Sequence, residues 1–451
     1  MKIINPLRRR RAFGRALAVL TPIAGAVLAM SLVLSAATQT ADQADAARTG
    51  QPPASLHPVM GYDDWYLNYC DTSQSQVLAQ ARALVRTGLA AAGYRTVIVD
   101  DCWMARKRTA GGQLTWNKAT FPDGIPALAA KIHAMGLKFG LYADAGLRTC
   151  EKLPGDLWHY STDVRTFKSW HVDLVKVDMC QFPPFTTYQQ VAADFTLFGK
   201  RLKAAGIAYS EELPVKALID WGEASPEYTQ ALKASSAMAA MWRVTPDERS
   251  SAHMSLIQQQ REVAPRPPNV EHALARLVGT YANMVLRDFA VDLPLARYAR
   301  PGHWNDLDVL LLGNPNYGWT EAQAVSQLSI WAELASPLIL STDIGNLSPA
   351  LLSDLENPAM IAIDQSGAQA REITSQGPVI AAGKPDPQGG TALLLVNLSA
   401  KASWFDVPLT RLGIQAPSAS VTDIWSGAHR TETGMFRYEV PPESASLLQL
   451  R

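Results

Sequence analysis

Short apolar runs that stop on a carboxylate recur along this chain. Leu174-Val175-Lys176-Val177 ends on Asp178, Val97-Ile98-Val99 ends on Asp100-Asp101, and Ala239-Ala240-Met241-Trp242 continues through Arg243 to Asp247. Further strand-like runs lie at Val59-Met60-Gly61, Lys138 to Tyr142, Ala208-Tyr209-Ser210, near His303-Trp304, and at Pro337 to Leu340. Between them, stretches such as Gln76 to Ala92 and Ile125 to Met135 carry alanine and leucine at helical spacing. Eight alternating units up to residue 365 predict a closed (β/α)8 barrel whose strands deliver polar side chains to one rim. Beyond Ile363 the texture changes to short apolar stretches, among them Thr391 to Val396, Trp404 to Val407 and Ser446 to Leu450, separated by Gly, Pro, Asn and Asp. That pattern predicts an antiparallel β-sandwich, which carries no polar constellation of its own.

The expected division is a leader at 1–50, a barrel at 51–365 and a sandwich at 366–451. Arg8 to Arg11 precede an apolar stretch from Leu17 to Ala37, and small residues at Ala36-Ala37 or Ala46-Ala47 offer cleavage sites. This reads as an export signal directing the protein to the periplasm or outside, with Arg10-Arg11 compatible with a twin-arginine route; an uncleaved membrane anchor is the alternative. Once the leader is cleaved, no association with a membrane is expected.

Composition narrows the partner. The 41 acidic and 41 basic residues balance, so nothing steers the chain toward nucleic acid or an anionic surface. The 8 histidines form no metal-spacing pattern with the 4 cysteines. In an exported chain the cysteines are expected to pair. With each in a successive strand-end loop, adjacency favours Cys70 with Cys102 and Cys150 with Cys180, and the second bridge would steady Asp178 two residues away.

Carboxylates on different barrel strands suit cleavage of a glycosidic bond, which needs one nucleophile or base and one protonated acid. Asp178 and Asp247, beyond the fourth and sixth strands, are the candidates. Lys176 shares a strand face with Asp178 and is expected to hold it ionised. Asp100-Asp101 can accept from vicinal hydroxyls or ligate a divalent cation. The aromatics Trp65, Trp103, Tyr142, Trp242 and Trp304 near strand ends favour a sugar, whose apolar face stacks on such rings. Asp63 and Asp64 are expected to be solvated loop residues.

Several ordered motifs now align with a known family. Pro58 to Gly61, Asp100-Asp101-Cys102-Trp103, Phe121 to Ile125, Gly136 to Gly146, Lys176 to Cys180, Trp242-Arg243 with Asp247, Trp304-Asn305-Asp306-Leu307-Asp308 and Ala335 to Leu338 resemble the α-galactosidases of glycoside hydrolase family 27. The resemblance implies a retaining exo-glycosidase acting on a terminal galactoside, with Asp178 as nucleophile, Asp247 as acid/base and the two carboxyls about 5 to 5.5 Å apart. It places Trp65 against the sugar, Asp100 and Asp101 at the 4- and 6-hydroxyls, Lys176 at the 3- and 4-hydroxyls, Arg243 and Glu212 at the 2-hydroxyl, and Tyr142 and Asp308 in the wall. It implies the same cysteine pairing, and a reaction that requires no metal or organic cofactor. The chain departs from the family at Tyr62-Asp63-Asp64 and at Lys216, where a tyrosine is common. β-L-arabinopyranosidase and isomaltodextran-cleaving activities, a sugar-binding protein without turnover, and a metal-dependent barrel hydrolase are the competing readings.

Overall fold

The computed structural model describes residues 56–245, 247 and 285–451. The leader read from the sequence lies outside them. Eight parallel strands form one sheet in the order β7-β6-β5-β4-β3-β2-β1-β8. They are β1 (Met60–Asp63), β2 (Thr96–Val99), β3 (Lys138–Asp144), β4 (Leu174–Asp178), β5 (Ala208–Glu211), β6 (Met241–Arg243), β7 (Trp304–Asp306) and β8 (Leu338–Leu340). Beyond β7 the chain closes the ring: Leu310 pairs in parallel with Leu340, its N–H donating to Ile339 and its carbonyl accepting from Ser341.

The strands are short and largely apolar, covered on the inside by one another and on the outside by helices, so β2 and β8 are buried along their whole length. Gly61 is required by close approach, since a Cβ there would meet the carbonyl of Thr96 on the neighbouring strand at 2.0 Å. Helix boundaries follow local chemistry. Helix α1 (Gln74–Arg86) starts on Ser73, whose side chain accepts from Gln76 N, and α2 (Tyr188–Ala205) carries a full capping box of Thr187 and Gln190 and ends on left-handed Gly206. The helical reading of Gln76 to Ala92 is interrupted at Gly88, with φ +94°. No helix among the described residues is long and apolar enough to cross a membrane.

From Arg371 onward the chain forms a six-stranded antiparallel sheet and a two-stranded one. In β11 (Thr391–Asn397), Leu393 and Leu395 enter the sandwich core, while Ala392, Leu394 and Val396 on the opposite face join the barrel core. Period-two alternation therefore feeds two cores, and the strand is apolar throughout. Of the glycosylation sequons at Asn346 and Asn397, the second is closed off: Asn397 is buried and its amide donates to Lys401, Val440 and Pro441 carbonyls.

Helix α3 (Glu321–Leu334) packs on the sandwich strands. At this junction Lys384 Nζ donates to the Ala332 carbonyl at 2.7 Å, and Glu333 and Asp364 are wholly buried beside it. Burial pushes Glu333 from 4.5 up to about 8 and Asp364 from 3.8 up to about 8, against the pull of Lys384. The folded chain then holds protons that the unfolded chain has released. Stability is full below the unfolded values and is lost as pH rises through the folded ones. Thermal midpoints are expected to fall from pH 5 toward pH 8, and Glu333→Gln, which cannot ionise, is expected to flatten that slope; parallel slopes in calorimetry would count against it.

Candidate active site

The C-terminal ends of the barrel strands carry the polar residues, and two clusters organise them. The first is built on Lys176 of β4, whose ammonium lies 2.6 Å from Asp100 Oδ2 and 3.3 Å from Asp63 Oδ2. Burial alone would lower the lysine pKa, but the charges of Asp100 and Asp63 outweigh it and hold the pKa well above the ordinary value. This corrects two expectations. Lys176 pairs with Asp100 and Asp63 rather than directly with Asp178, and Asp63 and Asp64 are buried rather than solvated. Asp64 accepts from the Thr72 hydroxyl and from the backbone N–H of Asp100, so it locks the β2 end to the β1 end. Asp63 accepts the Trp65 N–H at 2.9 Å and so shapes the turn that carries Trp65.

The second cluster is built on Arg243, the last residue of β6, which is buried. Its guanidinium lies 3.1 Å from Asp308, 3.3 Å from Glu212 and 3.4 Å from Asp247. Asp308 is held in a left-handed backbone conformation, φ +76°, which costs energy in a residue with a side chain. Four contacts hold it there: the Arg243 pair, the Tyr66 hydroxyl donating to Oδ2 at 2.7 Å, the Trp331 indole N–H donating to its carbonyl at 2.9 Å, and its own N–H donating to Asp306 Oδ1 at 2.9 Å. Tyr66 and Trp331 were not legible as site residues. Tyr66 is one position from Trp65 with no pattern to mark it, and Trp331 sits inside an ordinary apolar helix.

Asp178 ends β4 on the same face as Lys176. Its Oδ2 accepts the Tyr142 hydroxyl at 2.7 Å and its Oδ1 accepts the Met179 N–H at 2.6 Å. Burial raises its pKa, the Tyr142 bond lowers it, the charge of Asp247 raises it, and Lys176 enters only as a weaker lowering influence. Asp247 follows β6 with its side chain 54% exposed at the mouth. Loss of surrounding water raises its pKa, Arg243 lowers it and Asp308 raises it. Because that side chain still meets solvent, only the direction of this shift enters the argument. Glu212 is buried and its pKa is also pushed up, chiefly by burial.

The charge balance is informative. Among the described residues, Asp63, Asp100, Asp178, Glu212, Asp247 and Asp308 gather around two cations, Lys176 and Arg243. Six carboxyls around two cations cannot all ionise cheaply, so the site retains protons, which is what a general acid at neutral pH requires.

One further expectation is revised. Trp103, Trp242 and Trp304 are at most 1% exposed and belong to the core, Trp103 donating to the Tyr142 carbonyl; the aromatic rim reduces to half-buried Trp65, edge-on to Tyr69 at 5.4 Å. Asp101 accepts from the N–H of Cys102 beside it and from the N–H of Glu151 in the loop after β3, and burial raises its pKa to about 7. The disulfides are Cys70–Cys102 and Cys150–Cys180, as adjacency implied. The Cys150 sulfur lies 3.8 Å from Asp178 Oδ2, so the bridge borders the carboxylate it was expected to steady.

With this geometry in place, similarity to known proteins is decisive. Residues 58–259 and 285–366 match the domain family described as Alpha galactosidase A, and residues 376–450 match the Alpha galactosidase C-terminal beta sandwich domain. The chain belongs to glycoside hydrolase family 27, the α-galactosidase family. It is a glycoside hydrolase built as a TIM barrel followed by a β-sandwich. It is 32% identical over 400 residues to the α-galactosidase of Oryza sativa subsp. japonica, covering 87% of this chain and 84% of the relative. It is 30% identical over 411 residues to α-galactosidase A of Cellvibrio japonicus, covering 87% and 91%. Among solved structures, α-galactosidase I of Mortierella vinacea superposes with TM-score 0.72 at 25% identity, covering 88% of this chain and 97% of that one.

Proposed function

We propose that the protein is an exported, retaining exo-α-galactosidase. The observation that carries this reading is Asp178. It is a half-buried carboxylate at a strand tip, kept ionisable by the Tyr142 hydroxyl, in a site whose remaining carboxyls gather around Lys176 and Arg243. In the first step Asp178 attacks the anomeric carbon while Asp247 protonates the departing oxygen, leaving a covalent glycosyl-enzyme. In the second step Asp247 takes a proton from water, which attacks the same carbon and releases Asp178, so two inversions give net retention.

The remaining assignments follow the walls of the site. Asp100 and Lys176 would bind the 4- and 3-hydroxyl side of the ring with Asp101 near the 6-hydroxyl, Arg243 and Glu212 would bind the 2-hydroxyl, Trp65 would cover the apolar face, and Asp308 and Tyr142 would complete the wall. A glutamate at Glu212 favours a free 2-hydroxyl over an N-acetyl group, because it accepts a hydrogen bond and fills the space. A raffinose complex is known for the yeast relative, whose fold is shared with TM-score 0.69 at 21% identity; a terminal galactoside of that kind is the proposed substrate here. Export is supported by the leader sequence and by two disulfides, which persist in oxidising compartments. The division into leader 1–50, barrel 51–365 and sandwich 366–451 belongs to the same reading.

A panel of nitrophenyl glycosides tests it. The α-galactoside is expected to be hydrolysed fastest, by at least about tenfold in kcat/KM over the β-L-arabinopyranoside, as loss of a hydrogen-bonded hydroxymethyl leaves buried polar groups unpaired. Faster hydrolysis of the arabinoside or an α-glucoside would transfer the assignment to that sugar, and galactose binding with no turnover would make the protein a lectin-like binder.

A further inference from the structure

Asp144 closes β3 and stands directly beside Asp178 in the parallel register of β3 and β4. It is fully buried. Its Oδ1 accepts the Gly146 N–H at 2.6 Å and its Oδ2 accepts the Cys180 N–H at 2.9 Å, while the same Oδ2 lies 3.5 Å from the Tyr142 hydroxyl. That hydroxyl has one proton. Asp178 Oδ2, at 2.7 Å, is the nearer acceptor for it.

A phenol oxygen that has donated its proton offers lone pairs to whatever else faces it. An ionised Asp144 would oppose those lone pairs with its own and would place a second negative charge in register with Asp178. A carboxylic acid at Asp144 has neither fault: its O–H points at the Tyr142 oxygen, and its remaining lone pairs still accept from Cys180 and Gly146. Resting on the reading of Asp178 as nucleophile, we propose that Asp144 is a positioning residue that keeps its carboxyl proton and donates it to Tyr142, so that Tyr142 in turn commits its own proton to Asp178.

The surroundings agree. The titratable groups that face Asp144 are Asp178, Asp101, Asp156, Tyr142 and Tyr160, all anionic when ionised. Among the described residues no cation pairs with Asp144, and the nearby Arg108 is held by Asp163 at 2.7 Å. The Asp144 N–H donates to Asp156 Oδ2 at 3.0 Å, which fixes the strand end. Burial, then the charge of Asp178, push the Asp144 pKa well up. Ordered donor chains of this kind strengthen each link by polarisation.

Two measurements test the assignment, one of them independent of activity. In infrared difference spectra near neutral pH, wild type minus Asp144→Asn is expected to show the C=O stretch of a protonated carboxylic acid; a difference confined to carboxylate bands would overturn the proposal, even if the glycosidase reading itself failed. In kinetics, Asp144→Ala is expected to lose about 10²-fold in kcat/KM, the size of a small misplacement of a reacting group, and to move the acid limb of the pH profile to higher pH, because Asp178 loses a committed donor. Asp144→Asn keeps an N–H for Tyr142 and is expected to hold the acid limb in place. Both variants deprive the Cys180 N–H of an acceptor and lose stability, so the limb, not the midpoint of unfolding, is the discriminating readout. An acid limb unmoved in Asp144→Ala would overturn the proposal.

Discussion

Asp178→Ala is expected to lower kcat on a nitrophenyl α-galactoside by about 10⁴-fold or more, the scale of removing a covalent nucleophile. The loss should be near total because nothing else in the site can replace it. Tyr142 and the Met179 N–H both donate toward its oxygens, Lys176 is engaged by Asp100 and Asp63, and Glu212 is held by Arg243. Truncation also leaves a small space where the carboxylate stood, which an exogenous anion can fill. Azide is therefore expected to restore turnover and to give the β-galactosyl azide, the product of one inversion. Asp247→Ala with azide should give the α-azide instead, since the anion then attacks the glycosyl-enzyme already formed on Asp178. If the two product configurations were exchanged between the variants, so would be the two roles.

Much of this arrangement is legible in the sequence, and the reason is physical. A parallel barrel strand is covered on both faces, so it reads as a short apolar run, and its carboxyl end opens into a polar mouth, so the run ends on charge. Leu174 to Asp178 shows this in its burial: Leu174, Val175 and Val177 are enclosed, and Lys176 and Asp178 are half-buried on the site face. What is not legible is pairing across the ring. Asp63 looks like a solvated acid because its partner, Lys176, is 113 positions away in sequence. Asp144 belongs to a recognised motif yet gives no sign that it stands in register with Asp178. The aromatics mislead in the opposite direction: Trp103, Trp242 and Trp304 are close to strand ends in sequence, but each ring turns into the core. In the sandwich, β11 is conspicuous because both faces are buried. By contrast β14 (His429–Thr433), exposed along nearly its whole length, has no alternation to detect.

Asp247→Ala separates the two chemical steps. With a nitrophenyl leaving group, whose departure needs little protonation, formation of the glycosyl-enzyme is expected to proceed nearly as in the wild type. Its hydrolysis, now without a base to activate water, should fall by about 10²- to 10⁴-fold. The intermediate then accumulates, so stopped-flow traces are expected to show a burst of nitrophenol followed by a slow steady rate, and KM should drop with kcat. A sugar leaving group, as in an oligosaccharide, needs the proton in the first step as well, so kcat/KM itself should fall by the same factor of about 10²- to 10⁴-fold and no burst should appear. The pH dependence follows with a definite sign. With a sugar leaving group the first step in the wild type needs Asp247 protonated, and crowding by protein raises its pKa while Arg243 opposes the rise, so kcat/KM for the oligosaccharide declines on the alkaline side as Asp247 loses its proton. In Asp247→Ala that alkaline limb should vanish for the oligosaccharide, while the acid limb, set by ionisation of Asp178, remains. Equal slowing of good and poor leaving groups, with the alkaline limb intact, would remove Asp247 from the role of acid and base and leave Glu212, a buried carboxyl held by Arg243, as the residue to test next.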